Sequence, residues 1–179
     1  MRCGIIGTGT IGTDLLIKSL GKEWMEVEVF SGRRLDSPGM QLAASRGVKV
    51  TTDGIKYFID NPNCCDVVYD CTNSLSARRH AEIFSEQNLT VLDLTPAKVG
   101  DLCVPSVNAS HFHRGDNVNM ITCGGQAALP LLCSLSPYLE DVKYIEMVSQ
   151  IASKSAGIAT RINIDDYIET TEFAIKKFT

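Results

Sequence analysis

A short apolar run, Cys3-Gly4-Ile5-Ile6, ends on Gly7-Thr8-Gly9-Thr10-Ile11-Gly12, and Leu15, Leu16 and Leu20 then recur at helical spacing until Gly21 stops them. No other stretch constrains the fold as tightly. A G-x-G-x-x-G pattern carries information where a strand feeds it and a helix leaves it, and both conditions are met. In that setting Gly7 allows a tight turn. Gly9 lets a pyrophosphate approach the backbone N–H groups at the helix start, and Gly12 lets helix and strand pack closely. Gly7, Thr8, Gly9, Thr10, Ile11 and Gly12 are the first cofactor-binding candidates, with a dinucleotide as ligand.

The first 122 residues repeat this alternation. Apolar runs at 27–30, 48–50, 66–71 and 90–94 read as strands, and segments at 40–46, 55–59 and 77–87 read as helices between them. Two more strands are expected at 103–108 and 117–122. Such alternation builds right-handed crossovers and a mainly parallel sheet. The fold class is therefore α/β, a Rossmann-type doubly wound sheet over residues 1–122. Residues 123–179 offer a helix at 127–139, an alternating strand at 144–151 and a final helix. That last helix carries Ile164, Tyr167, Ile168, Thr171, Ile175 and Phe178 on one stripe. One strand cannot satisfy its own edges. Residues 123–179 are thus expected to be the start of an α+β catalytic and dimerisation domain, truncated, with the chain a fragment of a longer protein.

The second strand ends in Ser31-Gly32-Arg33-Arg34, with no acid before Asp36. A ribose-binding acid there would mark NAD, whereas an arginine suits the 2′-phosphate of NADP. Both cofactors stay open.

Composition excludes several classes. A net charge of −4 without an extended basic cluster gives no support for nucleic-acid binding. No apolar run reaches the ~18 residues of a membrane span. The N-terminus is read as entering a strand directly, without a signal peptide. Seven cysteines at irregular spacing form no disulfide framework, so reduced thiols in the cytoplasm are expected. Cys3, Cys71 and Cys133 read as core, and Cys64, Cys65 and Cys103 as incidental. No C-x-x-C or H-x-x-H pair occurs, so no metal site is expected. No histidine presents itself as a base: His80 stands beside Arg78-Arg79 on a helix read as a surface one, and His111 and His113 lie in a loop.

Cys123 is a different case. It falls in Met120-Ile121-Thr122-Cys123-Gly124-Gly125-Gln126-Ala127, between an apolar run and a helical pattern. A helix start favours the thiolate of a cysteine, and the thiolate is the nucleophile. Two glycines beside it permit close approach of a ligand. Cys123 is the catalytic candidate, with the Gly124 and Gly125 N–H groups as expected oxyanion donors. A dinucleotide turn combined with a nucleophilic thiol points to aldehyde oxidation through a thioester. A second segment, residues 153–161, is rich in small residues and reads as a loop passing near a ligand. Thr160 and Arg161 can donate to phosphate or carboxamide there, and Asn163 can cap the helix that follows.

These segments resemble the acylating acetaldehyde dehydrogenases of meta-cleavage pathways, short enzymes that work with 4-hydroxy-2-oxovalerate aldolase. The resemblance rests on GTGTIGTDL (residues 7–15), LDLTPAKVG (92–100), VPSVN (104–108), NVNMITCGGQA (117–127) and SKSAGIATRINID (153–165). It implies conversion of acetaldehyde, NAD and coenzyme A into acetyl-CoA and NADH, in aromatic hydrocarbon catabolism. Cys123 matches the acyl-thioester cysteine. Ser155, Ala156, Gly157, Ile158, Ala159, Thr160, Arg161, Ile162 and Asn163 match a second cofactor-contacting segment. The resemblance also implies a homo-oligomer and the aldolase as partner. The family usually has Pro-Gly where this chain has Ile158-Ala159, and its members continue well past the final helix. Two other readings stay beside it: a different cysteine-dependent semialdehyde dehydrogenase, and a non-catalytic NAD(P)-binding module.

Overall fold

Ile5 and Ile6 are neighbours in β1 (Arg2–Ile6) and both are buried, yet they enter different cores. Side chains of a strand alternate between faces, so a strand covered on both sides must be apolar at every position. The computed structural model describes residues 1–179, the Ala159 side chain excepted. After β1 come α1 (Thr10–Ser19), β2 (Glu26–Ser31), α2 (Pro38–Ser45), β3 (Val50–Thr51), α3 (Ile55–Asp60), β4 (Val67–Asp70) and α4 (Ser74–Glu86). These are followed by β5 (Thr90–Asp93), β6 (Asp101–Leu102), α5 (Pro105–Asn108) and β7 (Asn117–Asn119). The remainder holds α6 (Cys123–Leu135), α7 (Ile158–Ile162) and α8 (Ile164–Phe178).

The strands form one sheet in the order β3-β2-β1-β4-β5-β7-β6, and every pairing is parallel. The order reverses between β1 and β4, the place where a doubly wound sheet leaves a crevice beyond its strand ends. One face packs Ile6, Val29, Phe58, Val68, Phe84 and Val91. The other packs Ile5, Leu16, Phe30, Met40 and Ala43 against α1 and α2. A third cluster, Leu102, Val104, Ile121, Leu129 and Ala174, fastens α6 and α8 to the β6 edge. Thr170 Oγ1 adds a hydrogen bond to the Pro96 carbonyl at 2.9 Å, and Arg78 pairs with Asp166 at 2.9 Å.

The expected alternation is present, with five departures. Residues 105–108 are helical, not extended. Pro105 fixes φ at the first helical position and has no N–H to offer a ladder. Asn108 then closes the turn, accepting the Val104 N–H at 2.8 Å and donating to the Leu102 carbonyl at 2.9 Å. Residues 144–151 pair with no strand among the described residues, and Tyr144 and Val148 are exposed. α6 begins four residues earlier than expected, which puts Pro130 inside it and not in its first turn. Residues 158–162 form a short helix within the expected loop. α4 begins at Ser74, where the Asn73 side chain accepts the Ser76 N–H, and this brings His80 onto the stripe with Ala77 and Phe84. His80 is therefore buried and not on the surface. Cys65 and Cys103 are buried as well, while Cys71 and Cys133 are only partly covered.

The glycine turn depends on two tight contacts. Gly7 has φ +102°, and a Cβ there would stand 2.5 Å from the Cys71 carbonyl. A Cβ on Gly12 would land on the Gly7 carbonyl oxygen. Gly12→Ala is expected to push α1 off β1 and destabilise the chain by about 1–3 kcal/mol, the usual range for overpacking. Urea denaturation at constant pH measures it.

Candidate active site

Because all strands run the same way, their last residues share one edge. The register aligns Ser31, Ile6, Asp70, Asp93 and Asn119 in a row across β2, β1, β4, β5 and β7. The glycine turn leaves this edge after β1, and Cys123 leaves it after β7, three strands away.

Gly9 caps α1, its carbonyl accepting the Thr13 N–H at 2.9 Å, and no atom lies within 4 Å of where its Cβ would be. The turn is filled beneath Gly7 and Gly12 and open above Gly9, a shape that fits a pyrophosphate against the helix start. The 155–163 segment reaches the same turn. A Cβ on Gly157 would lie 3.6 Å from Thr10 Oγ1. Within that segment Arg161 is engaged internally, its guanidinium donating to the Ala156 carbonyl and to the carbonyl and hydroxyl of Ser153, each at 3.1 Å. It is thus tied down, where the sequence leaves it available to a phosphate. Ile158 and Ile162 are exposed, and Asn163 stands at the N-cap of α8 with its carbonyl accepting the Tyr167 N–H at 2.9 Å. The Ala159 side chain lies outside the described residues. Beyond β2, Arg34 turns to Asp36 at 2.6 Å, and both are exposed. Ser31 donates to the Gly54 carbonyl at 3.1 Å.

Cys123 is the first residue of α6 and is exposed. Its Sγ stands 3.5 Å from the Tyr167 hydroxyl, which also accepts the Gly124 N–H at 2.9 Å. The Gly125 N–H is held by the Thr122 side chain at 2.9 Å. Both expected oxyanion donors are therefore engaged within the chain, and the group that faces Sγ is the Tyr167 O–H. Burial, then the hydrogen bond and charge of Cys123, hold the Tyr167 hydroxyl above its ordinary pKa, so it stays protonated at neutral pH. Sequence reasoning placed Tyr167 only on a packing stripe.

The turn before Cys123 is strained. Ile121 has φ +63° and is 1% exposed. A β-branched residue in that region is an outlier that costs roughly 1–3 kcal/mol, offset where its surroundings over-determine it. Asn119 Oδ1 accepts the Ile121 N–H at 2.9 Å, and Asn119 Nδ2 donates to Asp93 at 2.8 Å and to the Thr95 carbonyl at 3.1 Å. The other Asp93 oxygen accepts the Thr95 N–H at 2.8 Å. Next in the row, Asp70 bonds Thr72 and meets His80 Nδ1 at 2.7 Å. In the sequence His80 reads as a surface residue, and Asp70, Asp93 and Asn119 carry no role of their own although Asp93 and Asn119 lie within the quoted motifs. The available signal was an aspartate closing each of two apolar strands, Val67–Asp70 and Thr90–Asp93.

The fold and edge define a Rossmann-type chain with a thiol at a strand-to-helix turn. Solved structures share that fold: a probable dehydrogenase from Thermotoga maritima has a TM-score of 0.55 at 17% identity, over 77% of this chain and 41% of that one. Aspartate semialdehyde dehydrogenase from Candida albicans, solved with NADP, has a TM-score of 0.55 at 15% identity, over 76% and 47%. Residues 123–179 match the family described as prokaryotic acetaldehyde dehydrogenase, dimerisation. Over its whole length the chain is similar in sequence to acetaldehyde dehydrogenases, in keeping with the resemblance of its motifs. It is 45% identical to the acetaldehyde dehydrogenase of Pectobacterium atrosepticum, covering all of this chain and 61% of that protein. The chain spans about three fifths of the length of the curated relatives it matches.

Burial, with the Asp70 charge adding to it, pushes the Asp93 carboxyl up to about 7 against the opposing hydrogen bonds. The unfolded value is about 3.9. Between these values the folded chain keeps a proton that the unfolded chain has lost, so this contribution to stability is full below about pH 4 and lost as pH rises through about 7. The stability difference between the chain and its Asp93→Asn variant should therefore shrink as pH rises across that window. Urea midpoints at pH 4.5–7.5, about the span of those values, test it.

Proposed function

We propose that the chain carries the thioester site of an acylating acetaldehyde dehydrogenase, with Cys123 as nucleophile, residues 1–122 as the dinucleotide domain and residues 123–179 as the first part of the catalytic and dimerisation domain. The observation that carries the reading is the exposed Cys123 thiol at the start of α6, facing the Tyr167 hydroxyl at 3.5 Å. It is supported by the sequence similarity to acetaldehyde dehydrogenases over the whole chain.

The Cys123 sulfur attacks the aldehyde carbon and forms a thiohemiacetal, and the Tyr167 O–H donates to the oxygen as charge develops on it. A bound nicotinamide supplies the hydride acceptor. With that carbon oxidised, the thioester on Cys123 is attacked by the coenzyme A thiol, and Cys123 leaves. Covalent catalysis of this kind splits one hard step into two easier ones. Gly7, Thr8, Gly9, Thr10, Ile11 and Gly12 hold the pyrophosphate against the α1 start, and the 155–163 segment closes over Thr10. NAD is the first choice by the resemblance; Arg34 pairs with Asp36 in solvent, and Arg33 beside it keeps NADP open. A homo-oligomer agrees with exposed Leu131, Leu135, Tyr138, Ile158 and Phe173 in the segment that matches a dimerisation family. The aldolase implied by the motifs would supply the aldehyde.

One half-reaction needs no hydride transfer: from acetyl-CoA, Cys123 takes the acetyl group and coenzyme A leaves as its thiol. Intact-mass analysis is expected to show one acetyl group on Cys123, absent from Cys123→Ser. Acetylation that persists in Cys123→Ser, or a wild-type chain that takes none, would reject the assignment. Tyr167→Phe should slow the same transfer about 10²-fold, the usual cost of losing one oxyanion donor. Gly9→Ala is expected to leave stability unchanged, because nothing lies where its Cβ would go, yet to abolish NADH binding measured by fluorescence.

A further inference from the structure

Asn119 is fully buried, and all three hydrogen bonds of its amide are assigned. Both Nδ2 bonds go to acceptors, Asp93 and the Thr95 carbonyl, and Oδ1 meets a donor, the Ile121 N–H. The amide therefore has one orientation. Turned over, it would set its NH2 against the Ile121 N–H and its oxygen against two acceptors. Asp93 shares in fixing that orientation. It accepts twice, from the Thr95 N–H and from Asn119, and a carboxyl keeps acceptor capacity on both oxygens with or without its proton, whereas an amide of the same length offers it on one arm only.

The bonds continue toward the thiol. Ile121 takes its left-handed conformation where Asn119 holds its N–H, and its side chain is locked among Leu102, Val104 and Leu129. Gln126 Nε2 holds the Met120 carbonyl at 3.0 Å from the other side. Thr122 then caps α6, and Cys123 is its first residue.

We propose that Asp93 is a positioning residue for Cys123: through Asn119 it fixes the left-handed turn at Ile121 and so the point at which the thiol enters α6. The inference rests on Cys123 being the reactive group of the proposed function. A carboxyl kept at 1% exposure beside Asp70 is costly to hold, and orienting Asn119 gives it a role there.

The test is site-resolved alkylation of Cys123 by iodoacetamide, read by peptide mass spectrometry on chains shown to be folded by circular dichroism. Asp93→Asn turns an NH2 toward a donor, and Asn119→Asp sets two carboxylates face to face. Each is expected to slow alkylation at least about tenfold, with NADH binding at the distant β1 turn unchanged. The double variant D93N/N119D reverses the bond: the amide now on β5 donates, the carboxylate now on β7 keeps an oxygen for the Ile121 N–H, and the Thr95 carbonyl loses its donor. It should alkylate at least about threefold faster than either single variant, short of the wild type. A folded Asp93→Asn chain that alkylates at the wild-type rate would overturn the proposal. If the single variants do not fold, the double variant decides. A double variant that folds where the single variants do not supports the clamp, and one that does not fold overturns it. Wild-type Cys123 that alkylates but takes no acetyl group would sink the thioester reading while leaving this comparison intact.

Discussion

Parallel pairing is the constraint on which the arrangement depends. Every strand runs the same way, so β1, β4, β5 and β7 all end at one edge, and the helices α1, α4 and α6 begin there. Helix starts leave N–H groups without intrahelical partners. The same edge therefore gathers donors, and the residues that close the strands must answer them. Asp70, Asp93 and Asn119 do so in one register row. Each directs an acceptor to a backbone N–H just beyond a strand: Thr72, Thr95 and Ile121. Polar residues in a buried row are costly unless bonded, and here the bonding partners are created by the way the strands end.

Two kinds of turn leave that edge, held differently. After β1 the chain removes side chains: Gly7 and Gly12 are bare where a Cβ would meet backbone, and the space above Gly9 stays open. After β7 the chain keeps a large side chain in an unfavourable conformation and buries it. Ile121 stays at φ +63° because its N–H is held by Asn119 and its side chain completes the cluster with Leu102, Val104, Leu129 and Ala174. The first turn yields room for a ligand. The second yields a fixed departure for α6, which a reactive thiol requires more than it requires room.

The first turn was legible in the sequence because its reasons are local: a strand, three glycines at fixed spacing and a helical period. Most strands followed for the same reason. The second turn was legible only as a place. Cys123 could be set between strand and helix, but nothing local says that Asn119 reaches back to Asp93, since that pairing exists only once β5 and β7 are neighbours. His80 was misplaced by a cap overlooked. Asn73 starts α4 at Ser74, and from there the spacing to Ala77, His80 and Phe84 is that of a buried stripe. The residues at 144–151 alternate as a strand should, but a strand is a property of two segments, and no second one lies beside it among the described residues. Tyr167 had the opposite problem. Its period was read correctly as a face of α8, and a tyrosine on an inward face looks like packing until its hydroxyl is seen against a thiol.

α8 completes the site from above the edge, and its hydrogen bonds have a determined direction. Thr171 donates its hydroxyl proton to the Tyr167 carbonyl at 2.7 Å. The 2.7 Å bond between Thr122 and Thr171 must then take its proton from Thr122. Thr122 in turn accepts the Gly125 N–H. The sequence Gly125 to Thr122 to Thr171 to the Tyr167 backbone is thus a one-way chain, and it joins the first turn of α6 to the turn of α8 that carries the Tyr167 ring. A shift of either helix would break a buried bond, so the spacing between Cys123 and Tyr167 is set by the cap of α6 as much as by apolar packing. The thiol is held on two sides, by the strand edge beneath through Asn119 and by α8 through Thr122, and its position follows from neither alone.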